Sequence, residues 1–114
     1  MKHLFLFLFI ITIFFACKKS NQASLNNSKW QTYFKYETFT FYAEKELVLN
    51  KDKTCYELGE TDTTYGEWSS SDEEIKINLD NKTIIRAMII SKDSLSGYRL
   101  NEAGVSGEWL AKRK

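Results

Sequence analysis

The stretch YGEWSSSDEEIKINLDNKTIIRAMII, residues 65–90, decides the fold. In its middle, Ile75, Ile77 and Leu79 alternate with Lys76 and Asn78, the period-two pattern of a strand with one dry face and one wet face. Ser70-Ser71-Asp72-Glu73-Glu74 before it and Asp80-Asn81-Lys82 after it are turn chemistry. Tyr65–Ser69 and Thr83–Ile90 are therefore the outer strands of two consecutive hairpins, the second nearly continuously apolar and broken by Arg86.

The same rhythm extends both ways. Upstream lie Trp30–Tyr36, Thr38–Tyr42, Glu46–Leu49 and Thr54–Leu58, the last two flanking the polar tip Asn50–Lys53. Downstream lie Ser94–Leu100 and Val105–Lys112, separated by Asn101–Gly104. No apolar repeat at helical spacing lasts longer than about two turns. The chain is thus all-β, with about eight short strands and connections too short for parallel crossovers. A meander of that length leaves two exposed edges, and closure removes them. The expected architecture is a small antiparallel up-and-down β-barrel over residues 28–114. Its inward candidates are Trp30, Phe34, Leu47, Leu49, Tyr56, Trp68, Ile75, Ile77, Leu79, Ile85, Ile89, Leu95 and Trp109.

Composition excludes several functions. Over 114 residues there are 16 basic and 15 acidic side chains, so no basic excess supports binding to nucleic acid. The single His is His3, and no Ser-His or Cys-His catalytic pair can be built from the rest. No phosphate loop, nucleophile elbow or metal-ligand spacing occurs, so no cofactor and no metal is expected, and the chain reads as a non-enzyme. Glu44 and Glu46 share one face of a strand and cannot flank a substrate as a glycosidase pair does.

The N-terminus carries an address. Lys2 and His3 are followed by LFLFLFIITIFFA, residues 4–16, and then by Cys17. The apolar run is short for a membrane span, which needs roughly 20 residues, and suits a cleaved signal. Ala16-Cys17 resembles the cleavage site of a bacterial lipoprotein signal, with Phe14 and Phe15 forming a relaxed box of the Bacteroidetes type. That resemblance implies a signal peptide at 1–16 and palmitate-type acyl chains on Cys17; an ordinary secretory signal or a short anchor is the alternative. Residues 17–27 then form a lipidated terminus and flexible tether. No Asp follows Cys17 and no acidic residue precedes Glu37, so the resemblance implies the periplasm-facing leaflet of the outer membrane. With Cys17 acylated, Cys55 has no partner and is expected to be a partly buried strand residue.

Gly66-Glu67-Trp68 and Gly107-Glu108-Trp109 are an internal echo. Together with Trp30, the Asn50–Lys53 tip and Arg113, they resemble small lipocalin-like lipoproteins over residues 25–113, although Ser28 stands where the first such tripeptide would have Gly. The resemblance implies that Trp30 stacks on Arg113 and that Trp30, Gly66, Trp68, Gly107, Trp109 and Arg113 are structural. Arg86 and Arg99 interrupt apolar strands; each either meets a carboxylate or reaches the mouth as an anion contact for a small apolar or amphipathic ligand. Asp62-Thr63-Thr64 and Asp93-Ser94-Leu95 match a tripeptide O-glycosylated in periplasmic Bacteroidetes proteins, which implies modification of Thr63 and Ser94. Two functions remain: a tethered binding module for such a ligand, or a protein-interaction lipoprotein (inhibitor, immunity or envelope-assembly accessory) with a filled barrel.

Overall fold

The computed structural model describes residues 25–37 and 40–114. The expected signal segment 1–16, Cys17 and the tether as far as residue 24 lie outside the described residues. Eight antiparallel strands close a barrel in simple sequence order. They are β1 (Ser28–Tyr36), β2 (Ala43–Leu49), β3 (Thr54–Leu58), β4 (Thr63–Ser70), β5 (Glu74–Leu79), β6 (Thr83–Ser91), β7 (Ser94–Leu100) and β8 (Ser106–Arg113). Closure is made by β8 pairing with β1, from Trp30 opposite Arg113 to Tyr36 opposite Gly107.

The turns follow their chemistry. Asp80 and Asn81 both take positive φ, 54° and 55°, the two-residue turn whose twist matches the strands it joins. At the Asn50–Lys53 tip, Asp52 Oδ1 accepts the Thr54 backbone N–H at 3.0 Å. Of the expected strand Thr38–Tyr42, residues 38 and 39 lie outside the described residues, and Thr40–Tyr42 are not a strand but part of the β1–β2 connection, with β2 beginning at Ala43. Phe41 and Tyr42 are 70% and 45% exposed; their aromatic, β-branched neighbourhood mimicked a strand, while the Tyr42 hydroxyl donates to Glu108 at 2.7 Å.

Alternation fills the interior. Trp30, Leu47, Leu49, Ile75, Ile77, Leu79, Ile85, Leu95 and Trp109 form one buried cluster with Trp68 and Phe34. Tyr56 corrects the expected list. It points outward and tilts against Tyr65 with ring centroids 6.1 Å apart, while its neighbours Cys55 and Glu57 face in. In Thr54–Leu58 the aromatic looked more core-like than the carboxylate, and register decides otherwise. Leu25 is a second correction, because residues 25–27 are not loose tether. Leu25 is buried, and its carbonyl accepts the Ser28 hydroxyl at 2.6 Å, so this apolar residue stoppers the end of the barrel where β1 begins. The barrel from Leu25 onward is a complete closed unit.

Cys55 is fully enclosed. Burial pushes its thiol from 9.0 up to about 12, with the charges of Glu57 and Glu67 adding to the effect. Such a thiol stays protonated at neutral pH and is inert. In the native protein a thiol reagent at pH 8 should therefore react only as fast as the barrel opens, and at once in urea. The unfolded thiol ionises near 9.0 and the folded one near 12, so wild type should lose stability relative to Cys55→Ala as pH rises through that window. Parallel curves from pH 8 upward would contradict this assignment.

Candidate functional site

The one charged assembly inside the wall among the described residues lies toward the end opposite Leu25. Glu57 on β3, Arg99 on β7, Lys45 on β2 and Tyr36 on β1 all face inward by alternation. Glu57 is 2% exposed and Arg99 7%. The guanidinium grips the carboxylate with two hydrogen bonds, Nη1 to Oε2 at 2.6 Å and Nη2 to Oε1 at 3.1 Å. Its Nε donates to the Tyr36 hydroxyl at 3.2 Å, and its central carbon lies 4.2 Å from the centre of the Phe34 ring. Lys45 Nζ stands 3.5 Å from Glu57 Oε1, giving one carboxylate two cations.

Burial opposes the charge on Arg99, but the hydrogen bonds and charge of Glu57, helped by Tyr36, outweigh it and hold the guanidinium above its ordinary value. Arg99 is therefore a fixed cation at any workable pH. The assembly is a bidentate pair in a low-dielectric wall, an arrangement that fixes geometry more reliably than it adds stability.

Gly107 explains how the pieces meet. It lies between Tyr36 and Arg99 in the strand ladder, opposite both. A Cβ there would sit 2.6 Å from the Lys35 carbonyl and 2.8 Å from the Tyr36 ring. The missing side chain is the gap through which Tyr36 and Arg99 touch. Gly107→Val should displace Tyr36 and loosen Arg99, with a loss of roughly 2–4 kcal/mol in urea denaturation and increased solvent exposure of Tyr36. An unchanged midpoint would refute this role. Gly66 is equally constrained, since a Cβ there would collide with the Asn78 carbonyl.

The remaining expected residues are structural in placement. Trp30 and Arg113 do stack, with the guanidinium carbon 4.8 Å from the ring centre. Trp68 donates its indole N–H to the Asn50 carbonyl at 3.0 Å and lies 3.9 Å beneath Lys53 Nζ. Trp109 is fully buried, and its indole N–H has no acceptor among the described residues. Arg86 faces outward on β6, exposed, opposite Lys76 and Tyr98, and does not reach the Arg99 assembly. Thr63 is exposed where β4 opens, and Ser94 is half-buried beside Lys112 Nζ at 3.4 Å. Sequence reading raised Arg99 and missed Glu57 and Lys45. The signal was available: two charges at inward parity on neighbouring strands, with a third across the barrel.

Two recesses of the described surface are open grooves. One of about 450 Å³ runs over Gly97 and Gly107 beside Lys35, Tyr98 and Glu108. Another, of about 190 Å³, runs between Arg86, Met88, Ser96 and Tyr98. Neither is lined by Trp30, Leu47, Ile77 or Trp109. Fold and site together define a small closed antiparallel β-barrel with a filled interior and an internal ion pair. No protein-family model matches the chain, and no curated protein matches it. Among solved structures it is similar to a redesigned β barrel, with a TM-score of 0.57 and 11% identity over 81% of this chain and 94% of that one. At that identity the likeness concerns architecture alone.

Proposed function

We propose that this chain is a non-enzymatic interaction module of the small lipocalin-like lipoprotein type. In this reading it is held to the periplasmic face of an outer membrane through Cys17 and engages an envelope protein with its outer wall. The observation that carries the reading is where the apolar surface lies. Inside, the chain's own side chains occupy the volume a calyx would need. Outside, Met88, Ile90, Tyr98 and Leu110 are 49%, 63%, 44% and 39% exposed on three adjacent strands. Met88, Ser96, Leu110 and Tyr33 form one continuous row across β6, β7, β8 and β1. Several large exposed apolar side chains gathered on one wall, around the small Ser96 and between Arg86 and Glu108, favour a protein partner. A carrier of small amphipathic molecules would instead hold its ligand at the Arg99 end, where Glu57 already occupies the guanidinium.

The test is a photo-crosslinking residue placed at Leu110 in the membrane-bound protein, with Lys76 on the opposite wall as control. One discrete adduct from position 110, absent from position 76 and from Leu110→Glu protein crosslinked at Met88, supports the reading. Equal labelling from both walls, or none, overturns it.

A further inference from the structure

Charge is sorted along the barrel axis, although acidic residues outnumber basic ones over residues 25–114. The up-and-down order places the start of β1, the end of β8 and the β2–β3, β4–β5 and β6–β7 turns at one end. Six exposed lysines stand there: Lys29, Lys51, Lys53, Lys92, Lys112 and Lys114. They form a crescent centred on the β8–β1 seam, with Arg113 as a seventh cation. Asp52 and Asp93 share its β2–β3 and β6–β7 turns, Asp93 standing 3.6 Å from Arg113 Nε, and Asp72, Glu73 and Glu74 occupy the facing β4–β5 corner. Among the described residues, Lys29, Lys51 and Lys92 make no side-chain ion pair or hydrogen bond. The opposite end carries Glu37, Glu60, Asp62, Asp80 and Glu102 in its loops, against Lys82.

The chain's own path points the crescent somewhere. Leu25 stoppers this same end, and Asn26 and Asn27 are held to its β2–β3 tip through Lys53 Nζ at 3.4 Å and the Lys51 N–H at 3.1 Å. Seven residues separate Cys17 from Leu25, two of them Lys18 and Lys19. Fully extended, the eight steps from Cys17 to Leu25 span no more than about 29 Å. We infer that the lysine crescent is a docking surface for anionic lipid headgroups, which seats the barrel end-on, with the Leu25 end toward the bilayer, its acidic loops away from it and its outer wall open. The orientation rests on the reading of Cys17 as the lipid-bearing residue; the affinity of the crescent does not.

A bilayer suits the crescent because its cations lie on one rim, and attraction to an anionic surface adds up over several lysines within a Debye length of about 8 Å at physiological salt. The test uses residues 18–114, a complete barrel without the acylated residue, sedimented with phosphatidylcholine vesicles that do or do not contain phosphatidylglycerol. Binding is expected only to the anionic vesicles, weakening as salt rises. The variant K29Q/K51Q/K92Q, which touches no internal contact, should lower the partition coefficient on the order of a hundredfold. K35Q/K76Q/K82Q carries the same charge change away from the crescent and should bind within a few-fold of wild type. Equal losses in the two triple variants, binding to neutral vesicles, no binding at low salt, or tighter binding to duplex DNA than to vesicles would each overturn the proposal. Because no acyl chain is present, none of these outcomes depends on the fate of Cys17 or on a protein partner.

Discussion

Glu57→Leu should cost about 3–5 kcal/mol in urea denaturation, because it strands a buried guanidinium whose two strongest hydrogen bonds end on that carboxylate. For a domain of this size that is a large share of the total stability, typically 5–15 kcal/mol. Raising the pH will not rescue the variant. With Glu57 gone the main contacts that raise Arg99 are lost and burial pulls it down instead. A guanidinium starts so far above neutrality, however, that it stays charged across the working range, and its burial goes on costing stability. The double variant Glu57→Leu with Arg99→Met should recover most of the loss, since hydrophobic replacement of a whole buried pair is often neutral or favourable. Lys45, whose side chain is 26% exposed, then turns to water. If the double variant lost the sum of the two single losses, the pair would not be acting as a unit.

The second large effect belongs to Trp30. Its ring is fully buried, carries Arg113 on one face, and donates its N–H to the Ser28 hydroxyl at 2.8 Å, which in turn holds Leu25. One indole thus ties together the barrel's closing seam and its stopper. Trp30→Ala should cost about 3–5 kcal/mol by cavity formation alone and release Leu25 as well. Trp30→Phe keeps the packing and the face for Arg113 but leaves Ser28 without its donor, and should cost about 1–2 kcal/mol. Hydrogen exchange of the Lys114 amide, which donates to the Lys29 carbonyl across the seam, reports on closure. It should accelerate sharply in the alanine variant and little in the phenylalanine one. Unchanged exchange in Trp30→Ala would show that the seam holds without the indole.

The frame was legible in the sequence because alternation and turn chemistry are local. Ile75–Leu79, the Asp80-Asn81 turn and the two Gly-x-Trp tripeptides sit as their neighbours dictate. The strand expected to end at Tyr42 failed over residues 40–42 for a physical reason. Its composition suits a strand, but whether an aromatic packs or lies in solvent is set by the loop's distance from the wall. The ion pair was half legible: an arginine at inward parity announces that something must answer it. Its partner could be found only once the register brought β3 and β7 across the barrel from one another, 42 residues apart in sequence. That Glu57 rather than Tyr56 faces inward reverses the usual ranking of those residues, and long-range charge pairing is what reverses it. The orphaned indole N–H of Trp109 has no sequence signature at all.

The account turns on a barrel stuffed with its own side chains, so that contact with other molecules falls to its exterior. Native mass spectrometry of the full-length protein, purified from the cells that make it, measures this directly. The predicted spectrum is a polypeptide with no further mass lost on unfolding; the proposed anchoring adds that it begins at Cys17 and carries covalent acyl chains. A small molecule bound one to one, released only when the barrel is denatured, would contradict it.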